Sequence, residues 1–432
     1  MGESTMGETA SREFDLVLVG ATGFVGRLTA RHLAEHASSG LRVGLAGRSA
    51  DRLEKVRSSL PAAGSTWPLI TIDVLDDTAV ANLAARSRVV ASTVGPYLRY
   101  GLALVQACAR AGTHYADLTG ETLFVRRSID AAHESARASG ARIVHSCGFD
   151  SVPSDLGVGL AASRAAAEDA GQLTSAVLHV RKLRGGISGG TVDSLRQQMI
   201  EARTDPVARR LAGDPRALAD DVSGSLYGSS SNTDGPSWLA RDDQTKSWQT
   251  PFVMGSYNQQ IVHRSNAIAG WPYGREFRYG EVVATGRGPR GAVIAAGIAV
   301  GTGALMAGMS FGPTRNLLDR VLPKPGQGPN DRTRSNGTFT VAVDADTVSG
   351  ARYRTTIAAD HDPGYDATAV MLGESAIALA SETDLGAAGV VTPMVALGSS
   401  LPQRLRDRGF TVVTERLCLL PSREKPVGPW PR

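Results

Sequence analysis

Cysteine occurs only three times in the chain, at Cys108, Cys147 and Cys418. So sparse and odd a set forms neither a disulfide framework nor a CxxC or CxxH pattern. That excludes a disulfide-stapled scaffold and a zinc module, predicts a reducing, cytosolic compartment, and leaves no metal site to expect. Aromatic residues make up only 5% of the chain, too few for a stacking platform for bases. A dominant sign of charge is missing as well. The 46 basic and 42 acidic residues leave a net +4 and are interspersed. No Lys/Arg stripe tracks a phosphate backbone, so nucleic acid is not an expected partner. The N-terminus, MGESTMGETASREFD, has no basic stretch followed by an apolar run. It reads as a short polar tail and not as a signal peptide.

What is present points to an α/β enzyme. The 432 residues include 49 glycines and 42% apolar residues, enough for a large core of Ala, Val and Leu packed closely at glycines. Short β-branched runs alternate with helical spacing: strands over 14–19, 41–46, 68–74, 89–94, 114–117 and 142–146, with helices between them. This predicts a Rossmann-type doubly wound parallel sheet over residues 12–150. A second, α+β domain is expected over 151–360. Its strands fall near 177–183, 259–263, 277–284, 337–343 and 353–359 and form a mostly antiparallel sheet. Asp220 to Gly235 and Pro323 to Asn330 read as exposed loops. The last segment, 361–432, is helical at 365–381 and 401–408 and ends in a strand, Phe410 to Thr414, that can return to the first sheet.

The strongest motif is Gly20-Ala21-Thr22-Gly23-Phe24-Val25-Gly26, which follows a strand and opens a helix. Its glycines let the backbone turn tightly and approach a pyrophosphate, while the helix's free N–H groups and dipole face the negative charge. At the tip of the second strand an NAD site places a carboxylate. Here Arg48 and Ser49 stand instead, 22 residues past Gly26 in the case of Arg48. A guanidinium and a hydroxyl suit a 2′-phosphate, so the expected cofactor is NADP(H). Asp73 is placed either to accept an adenine amino hydrogen bond or to cap the following helix. Thr93, Val94, Gly95 and Pro96 follow the fourth strand and border the nicotinamide crevice. Tyr97 is a wall or a proton donor there, and Tyr115 and Asp117, also at strand ends, are the other catalytic candidates. His114 and His145 read as core imidazoles. Gly148, Phe149 and Asp150 are expected at the nicotinamide wall, with Asp150 alternatively capping a helix near Ser154.

The combination GATGFVG, AGRS, TVGPY, YADLTGE (Tyr115 to Glu121) and GFDSVPSDLG (Gly148 to Gly157) resembles the saccharopine-dehydrogenase-like oxidoreductases, most closely their trans-acting enoyl reductases. The match is dense over 14–160 and resumes at Ser188-Gly189-Gly190-Thr191 and Val391-Thr392-Pro393. The resemblance implies an N-terminal NADP-binding domain, a second domain forming the substrate site, and a C-terminal segment returning to the first. It also implies reduction of a carbon–carbon double bond on a lipid chain built by a polyketide synthase, without a catalytic triad or metal. An apolar acyl or polyketide-derived substrate follows. A saccharopine-type amino acid dehydrogenase fits less well, because no compact Arg/Lys cluster suits an amino-dicarboxylate. The rival of another class is a silent dinucleotide-binding scaffold on a membrane.

Residues 291–314 run 24 positions without a charge, half of them Gly or Ala, between Arg287 and Arg290 on one side and Arg315 and Arg320 on the other. Three readings stay open. The length suits a bilayer span. The small-residue spacing suits a helix packed inside the protein or between the subunits of a homodimer. The basic flanks suit peripheral contact with the inner face of the plasma membrane or with a lipid substrate.

Overall fold

The computed structural model describes residues 12–185, 189–219, 239–241, 246–310, 328–329 and 331–418. Strand β1 (Phe14–Val19), almost wholly buried, feeds helix α1 (Phe24–His36) and then β2 (Val43–Gly47). Helix α2 (Ala50–Ser58) begins where the Ser49 side chain accepts the Arg52 amide. After the short β3 (Leu69–Thr71), α3 (Asp77–Arg86) begins where Asp76 accepts the amides of Thr78 and Ala79. Such caps satisfy N–H groups that a helix start leaves without partners. The alternation continues through β4 (Ser87–Ser92), the single turn α4 (Tyr97–Tyr100), α5 (Leu102–Ala111), β5 (His114–Asp117), α6 (Thr122–Ser139) and β6 (Arg142–Val144).

Helix α7 (Val152–Ala167), buried along most of its length, leads into β7 (Leu173–Arg184) of a second sheet. There follow α8 (Gly189–Thr204), α9 (Pro206–Gly213), β8 (Ala240–Arg241), β9 (Ser247–Pro251), α10 (Gly255–Ile268), β10 (Arg278–Arg287) and α11 (Gly288–Ser310). The chain resumes with α12 (Asp331–Ser335), β11 (Thr338–Thr347) and β12 (Arg352–Ala359). A π-helical turn, Pro363–Ala367, opens α13 (Thr368–Ser381), followed by β13 (Gly389–Val391), α14 (Pro393–Leu397), α15 (Leu401–Asp407) and β14 (Thr411–Leu417).

The first sheet has seven strands in the order β13-β6-β5-β4-β1-β2-β3, every neighbour parallel. The winding reverses between β1 and β4, which leaves a crevice at the carboxyl ends of those strands, the place where open α/β sheets bind ligands. The second sheet, β14-β12-β11-β7-β10-β9-β8, is antiparallel except for the β7–β10 pair. Leu16, Leu18 and Val89 of the first sheet share one buried cluster with Val341 and Val343 of the second, joined through Leu156 of α7 and Met371 and Leu372 of α13.

Two expected strands are corrected. Residues 259–263 lie inside α10, whose Gln260, Ile261, Val262, His263 and Arg264 are all buried; with polar and apolar residues alike facing inward, the segment carries no amphipathic helical period in its sequence. The strand near 410–414 exists as β14 but pairs with β12 in the second sheet. It is β13, too short to stand out, that returns to the first sheet beside β6. The loop over 220–235, Arg315 and Arg320, Ser188 and most of 323–330 fall outside the described residues. Residues 291–310 of the apolar run belong to α11.

Candidate active site

The glycine loop sits at the mouth of the crevice. Gly20 adopts a left-handed φ of 86°, and a Cβ there would stand 2.6 Å from the Thr93 hydroxyl. A Cβ on Gly26 would collide with the Gly20 carbonyl. These two glycines are therefore required by the protein's own packing. Gly23 is not: its Cβ would find only the Gly20 carbonyl, at 3.3 Å. The middle glycine is the N-cap of α1, no side chain among the described residues caps that end, and no acid stands in its first turn. A bare helix N-terminus with an open backbone approach fits a pyrophosphate. Phe24 turns its ring onto Tyr365, 4.8 Å between centroids, and the Arg27 and Arg334 guanidiniums lie over it. Thr22 and Val25 are half-buried beside it.

The loop after β4 closes on the glycine loop directly. The Thr93 amide donates to the Val19 carbonyl at 3.0 Å and its hydroxyl donates to the Gly20 carbonyl at 3.0 Å. Val94 lies against Gly20, and the Gly95–Pro96 peptide is cis. Arg48 is exposed at the tip of β2 and makes no ion pair among the described residues, while the Ser49 hydroxyl is engaged as the α2 cap. Asp73 is exposed and accepts the Leu75 amide at 3.0 Å; the cap of the next helix is Asp76, which corrects the alternative read for Asp73. Asp150 likewise is not a helix cap: α7 starts at Val152 after Ser151. The Asp150 carbonyl accepts the Asn258 amide, and the Phe149 ring packs on Phe339, 4.6 Å away, with its amide on the Thr368 hydroxyl next to Gly148.

The three catalytic candidates are all buried. The Tyr97 hydroxyl donates to the Ser92 carbonyl at 3.0 Å and accepts the Leu118 amide at 3.3 Å. Burial, with the Asp117 carboxylate near, pushes its phenol well above the ordinary range. Tyr115 is fully buried in the core under α5 and α6, and burial raises it in the same way. Asp117 accepts the amides of Thr119 and Ser146, each at 3.1 Å, and pairs with His145 Nδ1 at 2.8 Å. His145 Nε2 reaches Ser128 at 2.8 Å, and His114, driven down to about 4 by burial, accepts the Arg142 amide. His145 is a satisfied core imidazole, whereas His114 is half-buried with its Nδ1 engaged.

A residue that sequence reasoning missed links these parts. Glu121, the last residue of YADLTGE, accepts the amides of Tyr97 at 2.9 Å and Leu98 at 2.7 Å, and the hydroxyl of Ser194 on α8 at 2.6 Å. Burial raises its carboxyl despite these donors. It thereby ties the loop after β4 to the second domain. Glu281 was missed too: buried on β10, it accepts the hydroxyls of Ser154 and Tyr279 and the Asn258 amide, at 2.6, 2.8 and 3.1 Å. Among the described residues no three His, Cys, Asp or Glu side chains could hold a metal ion.

The saccharopine dehydrogenase NADP-binding domain family matches residues 16–144. A Mycobacterium tuberculosis relative is 46% identical over 417 residues, covering 94% of this chain and 99% of its own length. A Mycobacterium bovis relative, named trans-acting enoyl reductase, is 43% identical over 423 residues with the same coverage. Among solved structures, yeast saccharopine dehydrogenase (L-Glu forming) aligns over 93% of this chain and 99% of its own at a TM-score of 0.51 and 13% identity, a likeness of fold alone.

Proposed function

Because the chain belongs to the trans-acting enoyl reductase family and carries the saccharopine-type NADP-binding domain, we propose that it reduces a carbon–carbon double bond of a polyketide-derived or other lipid acyl intermediate. It is an NADP-dependent oxidoreductase. The observation that carries the cofactor reading is the glycine loop, whose first and third glycines serve packing while the middle one keeps the α1 N-terminus open. Gly20, Thr22, Gly23, Phe24, Val25 and Gly26 are the proposed pyrophosphate cradle, Arg48 and Ser49 the 2′-phosphate side, and Asp73, beside the exposed Leu75, the adenine side. Thr93 to Pro96 and Gly148 to Asp150 border the nicotinamide end.

When bound, NADPH supplies the hydride for the β-carbon of an α,β-unsaturated thioester. The chain's own residues must orient the acyl group and steady charge on the thioester oxygen. Tyr97, Tyr115 and Asp117 are assigned positioning roles, since their polar atoms lie inside the first domain and those of Tyr97 and Asp117 are spent on its loops. Glu121 is assigned to the same group. The proton for the α-carbon then comes from solvent. A polyketide synthase is the proposed supplier of the substrate, and a homodimer is the proposed assembly.

No helix among the described residues is long and apolar enough to cross a membrane. On α11, however, Val293, Ile294 and Val300 are 72%, 43% and 71% exposed, next to the exposed Arg287. An apolar surface with a basic flank supports peripheral docking on anionic lipid, where an enzyme could meet a lipid-linked substrate.

The test is NADPH oxidation by the purified protein with a long-chain 2-enoyl thioester. Turnover is expected, and Gly23→Val should abolish it together with NADPH binding while the protein stays folded. Oxidation only with an aldehyde and glutamate would mark an amino acid dehydrogenase. Tight NADPH binding with no turnover on either would mark a scaffold.

A further inference from the structure

Glu281 on β10 is only 2% exposed, and no cation pairs with it among the described residues. Taking a carboxyl group out of water is costly unless its oxygens are met by donors. Oε1 accepts the hydroxyls of Ser154 and Tyr279, and Oε2 accepts one N–H of the Asn258 amide. Burial, with the Asp150 carboxylate near, still raises the carboxyl above its usual range. An apolar side chain would fill the same space between β10, α7 and α10 without that cost, so packing does not explain the residue. What an apolar side chain lacks is an acceptor for Asn258.

Asn258 passes that contact on to the turn after β6. Its second N–H donates to the Asp150 carbonyl at 2.6 Å, and its Oδ1 accepts the Ser151 hydroxyl at 2.8 Å. The Ser151 hydroxyl can donate or accept and so tolerates either orientation of the amide. With Glu281 opposite, an amide turned over would set its oxygen against two acceptors, Oε2 and the Asp150 carbonyl. Glu281 therefore keeps the donor edge of Asn258 toward Asp150. On the other side of the turn the Phe149 amide donates to the Thr368 hydroxyl at 3.1 Å, so its backbone is held from α10 and from α13. We propose that Glu281, through Asn258, is a positioning residue for the nicotinamide: it fixes how far the Gly148 to Asp150 turn stands into the crevice, and with it how the ring is set for hydride transfer. The inference rests on the reading above that places the nicotinamide end at this turn. Transfer between held groups is steep in their geometry, whereas the affinity of a dinucleotide is made largely at its phosphates and adenosine.

The experiment compares the wild type with Glu281→Met, Glu281→Gln and Asn258→Ala by thermal melt, calorimetric NADPH affinity, fluorescence of the bound reduced nicotinamide, and kcat with a long-chain 2-enoyl thioester. Methionine fills the site without an acceptor, whereas glutamine keeps a carbonyl for Asn258 and can donate to the Ser154 and Tyr279 hydroxyls. Glu281→Met and Asn258→Ala are expected to lower kcat roughly tenfold to a hundredfold, the scale of a misplaced reacting group, and to shift the nicotinamide fluorescence with NADPH affinity unchanged. Glu281→Gln should return both readouts to wild-type values. Wild-type fluorescence and kcat in Glu281→Met overturn the proposal. Equal losses in Glu281→Gln and Glu281→Met overturn it as well, since the charge and not the acceptor would then be at work. If Glu281→Met does not fold, Asn258→Ala against the wild type carries the same comparison. NADPH binding without turnover of the thioester would overturn the acyl reading, and the fluorescence series would still decide this one. A wild type that binds no NADPH overturns both.

Discussion

Helices α11 and α13 are built from nearly the same residues and have opposite surroundings. Each carries a single charged residue, Arg290 in one and Glu374 in the other, among Ala, Gly and aliphatic side chains. Every residue of α13 except Val370 and Ser381 is buried, with α1, β1, β4, β5, α14 and α15 around it. Helix α11 lies on β9, β10 and α8 and leaves Val293, Ile294 and Val300 in the open. Apolar composition does not decide burial. What differs is the polar tie: Glu374 pairs with His32 at 2.9 Å, Arg408 at 2.7 Å and Arg404 at 3.2 Å, pinning α13 to α1 and α15. A buried carboxylate is tolerable only with such partners, so it specifies where its helix must sit.

The sharpest contrast uses one substitution in each helix. A Cβ at Gly373 would collide with the His32 ring, whereas one at Gly297 meets nothing within 4 Å. Gly373→Leu should therefore cost roughly 3 kcal/mol or more by overpacking. Urea denaturation measures this; a variant as stable as wild type would mean that α13 is loosely held. Glu374→Gln comes next, at roughly 2–3 kcal/mol near neutral pH, the scale of lost hydrogen bonds to charged groups. Burial alone would raise the Glu374 carboxyl, but the hydrogen bonds from His32 and Arg408 outweigh it and bring it from its usual 4.5 to about 2. A lowered carboxylate stabilises above its ordinary value and loses that contribution as pH falls toward the folded value. The gap between wild type and Glu374→Gln should therefore shrink between about pH 4.5 and 2. Gly297→Leu has the opposite sign and should stabilise by roughly 0.5–1 kcal/mol, since leucine replaces glycine in an open helix interior. The smallest effects on stability belong to Val293→Ser, Ile294→Ser and Val300→Ser taken singly, each within about 0.5 kcal/mol as an exposed site. The triple variant that combines them should lose sedimentation with anionic vesicles at low salt. Equal binding by variant and wild type would remove α11 from the membrane.

The same division runs through what could be read from the chain. The first sheet was legible because each of its βα units is local, and the glycine loop because backbone chemistry is written in glycines at fixed spacing. The cradle proposed for the cofactor rests on that same local spacing at Gly20 to Gly26, and its proposed 2′-phosphate side on Arg48 at the tip of β2. Glu121 was hidden because its partners stand 24 and 73 residues away in sequence, at Tyr97 and Ser194. Residues 259–263 misled for a related reason. Gln260 and Arg264 are buried by contacts with Asp214 and Leu218, which no local pattern announces. Strand β14 was recognisable as a strand, yet its partner depended on the path of the whole chain.

That path has a consequence for how the protein is made. Arg142, at the start of β6, holds the carbonyl of Gly386, 244 residues further on, and β13 completes the first sheet only there. At about 5–20 residues per second, a ribosome needs roughly 10–50 s to deliver that closing strand after β6 has emerged. During this interval the nucleotide-binding half waits with an unpaired β6 edge. A message cut short anywhere before the codon for Gly389 would yield an open-edged sheet, exposed to association with other nascent chains.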